Sequence, residues 1–252
     1  MSSAELTAAL RAAEAAAEVI RSLYQRNLAV TTKADKSPVT EADVRAEEAI
    51  REVLTRAFPD HGFYGEETGT HHLQASQVWL VDPIDGTKSF VRECPFFSTQ
   101  IALMREGRMV LGVSSAPAYG ELVWAERGKG AFQDGRRLQV SRIDSLERAI
   151  LSSGNLKSLA KSPRWPAYGA LVASVDRIRG YGDFLHYHLL AQGALDLVIE
   201  SDVNILDIAA LSVIVEEAGG QFTDLQGQPI SLETHDVLAS NGRLHSEALS
   251  RL

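Results

Sequence analysis

One cysteine, Cys94, is all the chain has in 252 residues. No internal disulfide can form, which excludes the disulfide-stapled secreted scaffolds. At this length a hydrophobic core suffices without staples. Positive charge is also scarce: 25 Lys and Arg stand against 33 Asp and Glu, a net charge of −8. A general binder of nucleic acid or of anionic membranes needs a positive surface, so neither class fits. No run approaches the ~18 uncharged apolar residues of a membrane span. The opening stretch, MSSAELTAALRAAEAAAEVI, carries charges throughout and lacks the basic start and unbroken apolar run of a signal peptide. The cytoplasm is therefore the expected location. There is no linker, internal repeat or low-complexity segment, so residues 1–252 are read as a single unit. Its first part, about 1–141, reads as α+β, and its second, 142–252, as alternating β/α.

What is present is an ordinary globular composition, 45% apolar and 23% charged. Leu6, Leu10, Ala13, Ala17 and Ile20 recur at helical spacing and predict a helix over 4–26. Residues 30–40, polar with a proline, read as a mobile loop, and Thr40-Glu41-Ala42-Asp43 opens a second helix that runs to about Phe58. Strands are expected at 78–81, 97–104, 109–116 and 121–125, with a hairpin turn at 105–108. Beyond Ser141 the pattern predicts a strand at 149–153, a weak helix over 155–177 interrupted by SPRWP, and a helix at 184–191. A strand at 195–199, a helix at 207–218, a strand at 237–239 and a short closing helix follow.

Acidic residues recur where these elements end or begin: Asp43, Glu66 in GEETG, Asp82 and Asp85 in WLVDPIDGTKSF, and Asp207. Each has a local explanation. Asp43 can complete a capping box with Thr40, Asp207 can cap a helix, Asp85-Gly86 can be a turn, and Glu66 with Glu67 can be a solvated pair. Together they suggest more. Asp82 closes a buried-strand signature, Pro83 stiffens the bend that follows, and Gly86 lets backbone approach a ligand. Carboxylates crowded at one point repel unless cations hold them. Oxygen donors without nearby His or Cys suit Mg²⁺, and two such ions beside the Gly86 and Thr87 amides suit phosphate hydrolysis. In that reading Asp82 bridges the metals and Thr87, paired with Asp43, orients the attacking water. Competing phosphate chemistries lack their signatures. Position 100, six residues after Cys94, is Gln rather than Arg, Asp82 and Asp85 are spaced by three rather than two, and no GxxxxGK[ST] occurs. The seven histidines suggest surface or core roles rather than metal ligation.

These segments together resemble the inositol monophosphatase family of Mg²⁺-dependent phosphomonoesterases. SPVTEAD (37–43), GEE (65–67), WLVDPIDGTKSF (79–90), GKGAFQDGRRLQVS (128–141) and the Asp207-IAA…EEAGG stretch (207–220) fall in the family's order over almost the whole chain. The resemblance implies a five-layer α-β-α-β-α sandwich, usually dimeric, acting on a small phosphorylated metabolite with two or three Mg²⁺. It implies that Glu66, Asp82 and the carbonyl of Ile84 hold one metal, and that Asp82, Asp85 and Asp207 hold the second. Asp43 and Thr87 then orient water, with Glu66 counted among the catalytic groups, and Asp85, Gly86 and Thr87 contact phosphate. The family commonly places Trp before the last aspartate; Leu206 stands there, so altered packing behind Asp207 is expected, with the metal site intact.

The segment 179–207 reads RGYGDFLHYHLLAQGALDLVIESDVNILD. Asp183, Phe184 and Tyr187 resemble the family's histidinol-phosphate phosphatase branch, and an acid with aromatic faces suits an ammonium and an imidazole. Glu200 matches the family's substrate-binding acid, and Arg179 is a supporting candidate. The alternative is that Asp183 merely caps the helix beginning at Phe184, with Tyr187 in the core. Inositol 1-phosphate, another sugar phosphate and adenosine bisphosphates are the rival substrates. A catalytically inactive binding protein on the same scaffold is the rival of another class; the presence of Glu66, Asp82, Asp85, Thr87 and Asp207 argues against it.

Overall fold

The structure is a computed structural model that describes residues 2–26, 30–32 and 38–252. Five layers stack. The first holds α1 (Ala4–Leu23) and α2 (Glu41–Ala57). Ser3 caps α1, its side chain accepting from the Leu6 N–H. Both helices turn small residues inward: Ala9, Ala13, Ala16, Ala42 and Ala46 are fully buried in one cluster with Leu6, Ile20, Ile50 and Leu54. Between the helices runs a short antiparallel ribbon, β1 (Val30–Thr32) with β2 (Pro38–Thr40). The loop expected over 30–40 is thus paired at its ends, where β-branched residues favour extension; residues 33–37, including Ser37 of SPVTEAD, lie outside the described residues.

The second layer is an eight-stranded sheet in the order β10-β9-β8-β7-β6-β5-β3-β4. Its strands are β3 (Gly62–Gly65), β4 (Gly69–His71), β5 (Gln77–Asp85), β6 (Ser98–Arg105), β7 (Arg108–Ala116), β8 (Glu121–Glu126), β9 (Gly130–Gln133) and β10 (Arg136–Arg137). All neighbours are antiparallel except β3 and β5. α3 (Thr87–Val91) follows β5 directly.

The middle layer is α5 (Asp183–Ala191) and α6 (Ile205–Glu217). α6 buries ten residues, from Ile205 to Val215, on all sides; a helix apolar all round is one enclosed between two sheets. It presses on the large sheet so closely that a Cβ at Gly112 would lie 2.2 Å from the Ala210 carbonyl oxygen, so only glycine fits. The fourth layer is a five-stranded mixed sheet, β12 (Arg177–Arg179), β11 (Ile150–Ser153), β13 (Leu197–Ser201), β15 (Asp236–Ser240) and β14 (Gln221–Thr223) in that order. α4 (Trp165–Ser174) and α7 (His245–Ser250) cover its far face, where Leu151, Leu197, Ile199 and Leu238 meet Tyr168, Leu171 and Ala248.

The weak helix read over 155–177 is corrected. Only Trp165–Ser174 is α-helical, with Pro166 at its start; a 3₁₀ turn, Leu159–Lys161, precedes it and the edge strand β12 follows. A proline N–H is no loss in a first turn but would break a helix interior.

Candidate active site

Strand β5 is buried from Val78 to Ile84 and pairs regularly with β6 until Asp82 faces Gln100. The register then slips, and Asp85 faces Ser98: three residues advance on β5 for two on β6. Pro83 sits inside this bulge, where its missing N–H costs no ladder bond, and its carbonyl accepts from Thr99 Oγ1 at 2.8 Å. Without the bulge, residues three apart would point to opposite faces of the sheet. With it, Asp82 and Asp85 converge. Asp82 is further fixed by the Ile84 N–H, which donates to its Oδ1 at 2.9 Å. Gly86 then takes φ 89°, and a Cβ there would strike the Phe96 carbonyl oxygen at 2.6 Å, so the turn into α3 needs glycine twice over.

Three other elements deliver the remaining groups. α2 supplies Asp43, which is both a capping acid and a site residue. Its Oδ2 accepts from the Thr40 N–H at 2.7 Å and Thr40 Oγ1 at 2.6 Å, while its Oδ1 accepts from Thr87 Oγ1 at 3.0 Å. The Thr87 hydroxyl also lies 3.0 Å from the Ile84 carbonyl. α6 supplies Asp207. It is not the N-cap that the sequence suggested but the N3 residue of a capping box whose N-cap is Asn204; its Oδ2 accepts from the Asn204 N–H at 2.8 Å. The turn after β3 supplies Glu66, whose carboxylate lies close enough to Asp82 to raise it by repulsion. Sequence reasoning missed what holds that turn. Glu47, fully buried on α2, accepts from the N–H groups of Glu67 and Thr68, both at 2.8 Å. The signal was available: Glu47 lies four residues after Asp43, one helical turn along the same face.

Asp82, Asp85 and Asp207 each bring a carboxylate oxygen within 4.8 Å of the others. Burial first, then the neighbouring acids, raises all three well above the usual carboxylate range, Asp207 to about 7. Among the described residues, no basic side chain is a leading cause of these shifts. Such a cluster is unfavourable as it stands, and a divalent cation is what an all-oxygen donor set of this density accommodates. Asp43 is raised too, chiefly by burial, against which the Thr40 and Thr87 bonds work.

The adjoining pocket is lined by Asp85, Asn155, Asp183, Tyr187, Glu200 and Asp207, among others. A wider cleft of about 630 Å³ between α1 and α2 is mostly apolar, and among the described residues no carboxylate lines it. Asp183 is the first residue of α5, at φ 46°, after Gly182, and no side chain caps the helix. The capping explanation for Asp183 is therefore corrected: its carboxylate makes no hydrogen bond with a described residue, and burial together with Glu200 raises it to about 6. A non-glycine residue held in the left-handed region is strained, and such strain concentrates at functional sites. Glu200 is buried with both oxygens engaged. Oε1 accepts from the Asn155 N–H at 3.0 Å; Oε2 meets His186 Nε2 at 3.1 Å and accepts from the Tyr187 hydroxyl at 3.0 Å. Two expectations change here. Tyr187 is buried and aims its hydroxyl at Glu200 rather than offering a free ring face, and Phe184 packs edge-on against Tyr119 and His188. Arg179 is not brought to the site: it lies exposed on edge strand β12, its guanidinium bonded to the Ile178 carbonyl. Leu206 is buried in the central core, and Asp207 beside it keeps its place in the cluster.

The family model for the inositol monophosphatase family matches residues 2–252. The chain belongs to that family. It is a phosphoric monoester hydrolase, and the family's metal dependence accords with its acidic cluster. The phosphatase is 42% identical to a histidinol-phosphatase of Mycobacterium tuberculosis over 100% of this chain and 99% of the relative. It is 42% identical to a histidinol-phosphatase of Streptomyces coelicolor, over 90% and 88%. An inositol-1-monophosphatase of Caulobacter vibrioides is 35% identical over 89% and 91%. Among solved structures, extragenic suppressor protein suhB from Bartonella henselae superposes with a TM-score of 0.89 at 32% identity, covering 99% of the phosphatase and 98% of that chain.

Proposed function

We propose that the phosphatase is a Mg²⁺-dependent enzyme that hydrolyses histidinol phosphate to histidinol and phosphate. Glu66, Asp82, Asp85 and Asp207, with the Ile84 carbonyl, would hold the metal. A divalent cation held there would neutralise the acids and would supply an acidified water and charge stabilisation for the departing oxygen of the ester. The chain's own residues do the rest. Asp43 takes the Thr87 hydroxyl proton in a hydrogen bond, which leaves the Thr87 oxygen turned to accept from water. Gly86 keeps the backbone at 85–87 open for close approach of phosphate oxygens.

The observation that carries the substrate is Asp183: a carboxylate in the pocket wall, with no hydrogen-bond partner among the described residues, beside the engaged carboxylate of Glu200. Paired acids facing one alcohol suit a cationic alcohol such as histidinol and do not suit a neutral polyol. Similarity to two histidinol-phosphatases supports the same reading. The likeness to an inositol-1-monophosphatase makes inositol 1-phosphate the second reading.

The test is phosphate release in Mg²⁺ from histidinol phosphate, inositol 1-phosphate, fructose bisphosphate and adenosine 3′,5′-bisphosphate. Histidinol phosphate is expected to lead in kcat/KM by about a hundredfold, or about 2.7 kcal/mol. Asp183→Ala should erase most of that lead while sparing the neutral ester. A flat panel, or a lead for inositol 1-phosphate, overturns the substrate and leaves the metal chemistry standing.

A further inference from the structure

A chain of buried side chains runs from the acidic cluster across the sheet to the surface. Asp85 and Ser98 are cross-strand partners on β5 and β6, and Gln100 and Ser114 are partners on β6 and β7. Partners and i, i+2 neighbours share one face of a sheet, so these four side chains line the face that meets α5. Ser98 Oγ donates to Asp85 Oδ2 at 3.4 Å. The Gln100 Nε2 amide donates to both Ser98 Oγ at 2.7 Å and Ser114 Oγ at 3.1 Å. Ser114 Oγ lies 2.8 Å from His188 Nε2, and His188 Nδ1 lies 2.9 Å from Glu121 Oε2 on β8. Ser98, Gln100, Ser114 and His188 are all completely buried, and Glu121 at the outer end reaches solvent. No step assigned above to the active site uses His188.

The direction of every bond in this chain is set from its outer end. Burial holds His188 below the usual imidazole range, so the ring is neutral and carries one proton. Glu121, lowered chiefly by the His188 hydrogen bond, is an anion that can only accept. The proton must therefore be on Nδ1, and Nε2 must accept. Ser114 spends its one proton on Nε2 and has to accept from Gln100. The amide's two protons are then divided between the two serines, so Ser98 is left with its own proton to give to Asp85. The cost of this arrangement falls on the Gln100 carbonyl oxygen, which is buried and has no hydrogen-bond partner among the described residues. Turning the amide over would satisfy that oxygen with serine hydroxyls but would leave His188 Nε2 without a donor.

We propose that Glu121, His188, Ser114, Gln100 and Ser98 are positioning residues that fix a hydrogen-bond donor on Asp85 Oδ2, and thereby hold the other carboxylate oxygen toward the metal. The inference rests on Asp85 being a metal ligand. Partners of this kind behind a ligand are typically worth about 10- to 100-fold in metal affinity.

Calorimetric titration with Mg²⁺ alone, without substrate, tests it. Asp85→Asn checks the underlying reading: unchanged Mg²⁺ binding in that variant removes Asp85 from the metal site and the inference with it. Given a loss there, Ser98→Ala and Glu121→Ala are each expected to weaken Mg²⁺ about tenfold or more. The double variant should be no worse than either single one, because both break the same chain. Glu121→Gln, which keeps a carbonyl acceptor for Nδ1–H, should restore binding. Nitrogen-15 NMR should show His188 protonated at Nδ1 in the native enzyme and as a mixture of tautomers in Glu121→Ala. Native Mg²⁺ affinity in Glu121→Ala, additive losses in the double variant, or a Glu121→Gln variant as weak as Glu121→Ala would each overturn the proposal.

Discussion

Asp82 shows the conflict between stability and function at the scale of one residue. It is buried beside Glu66, Asp85 and Asp207, and all of these neighbours disfavour its charge. Without cations the cluster works against the fold, and in the proposed reaction it holds the metals. Asp82→Asn is therefore expected to abolish turnover, with kcat down by at least about a thousandfold, while raising the melting temperature of the metal-free protein. In a chain of this size each 1 kcal/mol of relieved repulsion is worth roughly 2–4 °C. Scanning calorimetry in chelator and phosphate release in Mg²⁺ check the two halves. Normal turnover in the variant would sink the metal-bridging role of Asp82, and a lowered melting temperature would show that Asp82 has stabilising partners that outweigh the repulsion. Thr87 presents the opposite case: its hydroxyl serves the fold and the proposed chemistry through the same bond to Asp43.

Among the elements, α2 carries more of the site than its one acidic signature suggests. Its first turn presents Asp43, and its second presents Glu47, whose two oxygens hold the backbone of the turn that bears Glu66. The fit is close: a Cβ at Gly65 would lie 2.5 Å from the Glu47 carboxylate. Replacing Glu47 by Ala leaves two backbone donors without their charged acceptor. It should cost about 3 kcal/mol in urea unfolding, from hydrogen bonds to a charged group. It should also weaken Mg²⁺ binding, because Glu66 loses its anchor; Glu47→Gln, with one acceptor oxygen, should fall between. Unaltered Mg²⁺ affinity in Glu47→Ala would show that the turn holds Glu66 without help. α6 works in the same double way. It is the hydrophobic middle layer along most of its length and a carboxylate support at its first turn, where the Asn204–Asp207 box aims Asp207 at the cluster.

Over the whole molecule, two sets of buried groups pull the pH dependence of stability in opposite directions. His245, buried between Thr223 Oγ1 and Ser240 Oγ, is lowered by burial to about 4 from an ordinary 6.5. Its folded value lies below its unfolded one, so its share of stability is complete above about pH 6.5 and is lost as pH falls toward 4. That share is roughly 2–4 kcal/mol at the usual conversion. The acidic cluster is raised instead, so in metal-free buffer it favours folding at low pH and loses that contribution as pH rises through about 7, where Asp207 titrates. The histidine's part is therefore read as a difference. Urea midpoints between pH 7.5 and 4.5 should fall less steeply for His245→Gln than for the native chain, and parallel curves would remove His245 from the account. Much of the architecture was legible beforehand, because period and punctuation are local. The alanine-rich stripe of α1, the Thr40 capping box of α2 and the apolar run before Asp82 each specify their element within a few residues. The acids of the site were legible for the same reason, since each stands where a local pattern stops. The short edge strands β4 and β12 were not, having three residues each and no periodicity to show. Nor were the partners of the acids. Whether Asp183 caps a helix or faces a pocket depends on φ 46° at one residue, and whether Arg179 reaches the site depends on which edge β12 occupies. The burial of Glu47, and the bonds that tie His188 to Asp85 across three strands, depend on register and layer stacking. By itself the sequence determined which residues could do the chemistry; only the tertiary structure decided which of them meet, because contact between residues a hundred positions apart is a property of packing and has no local signature.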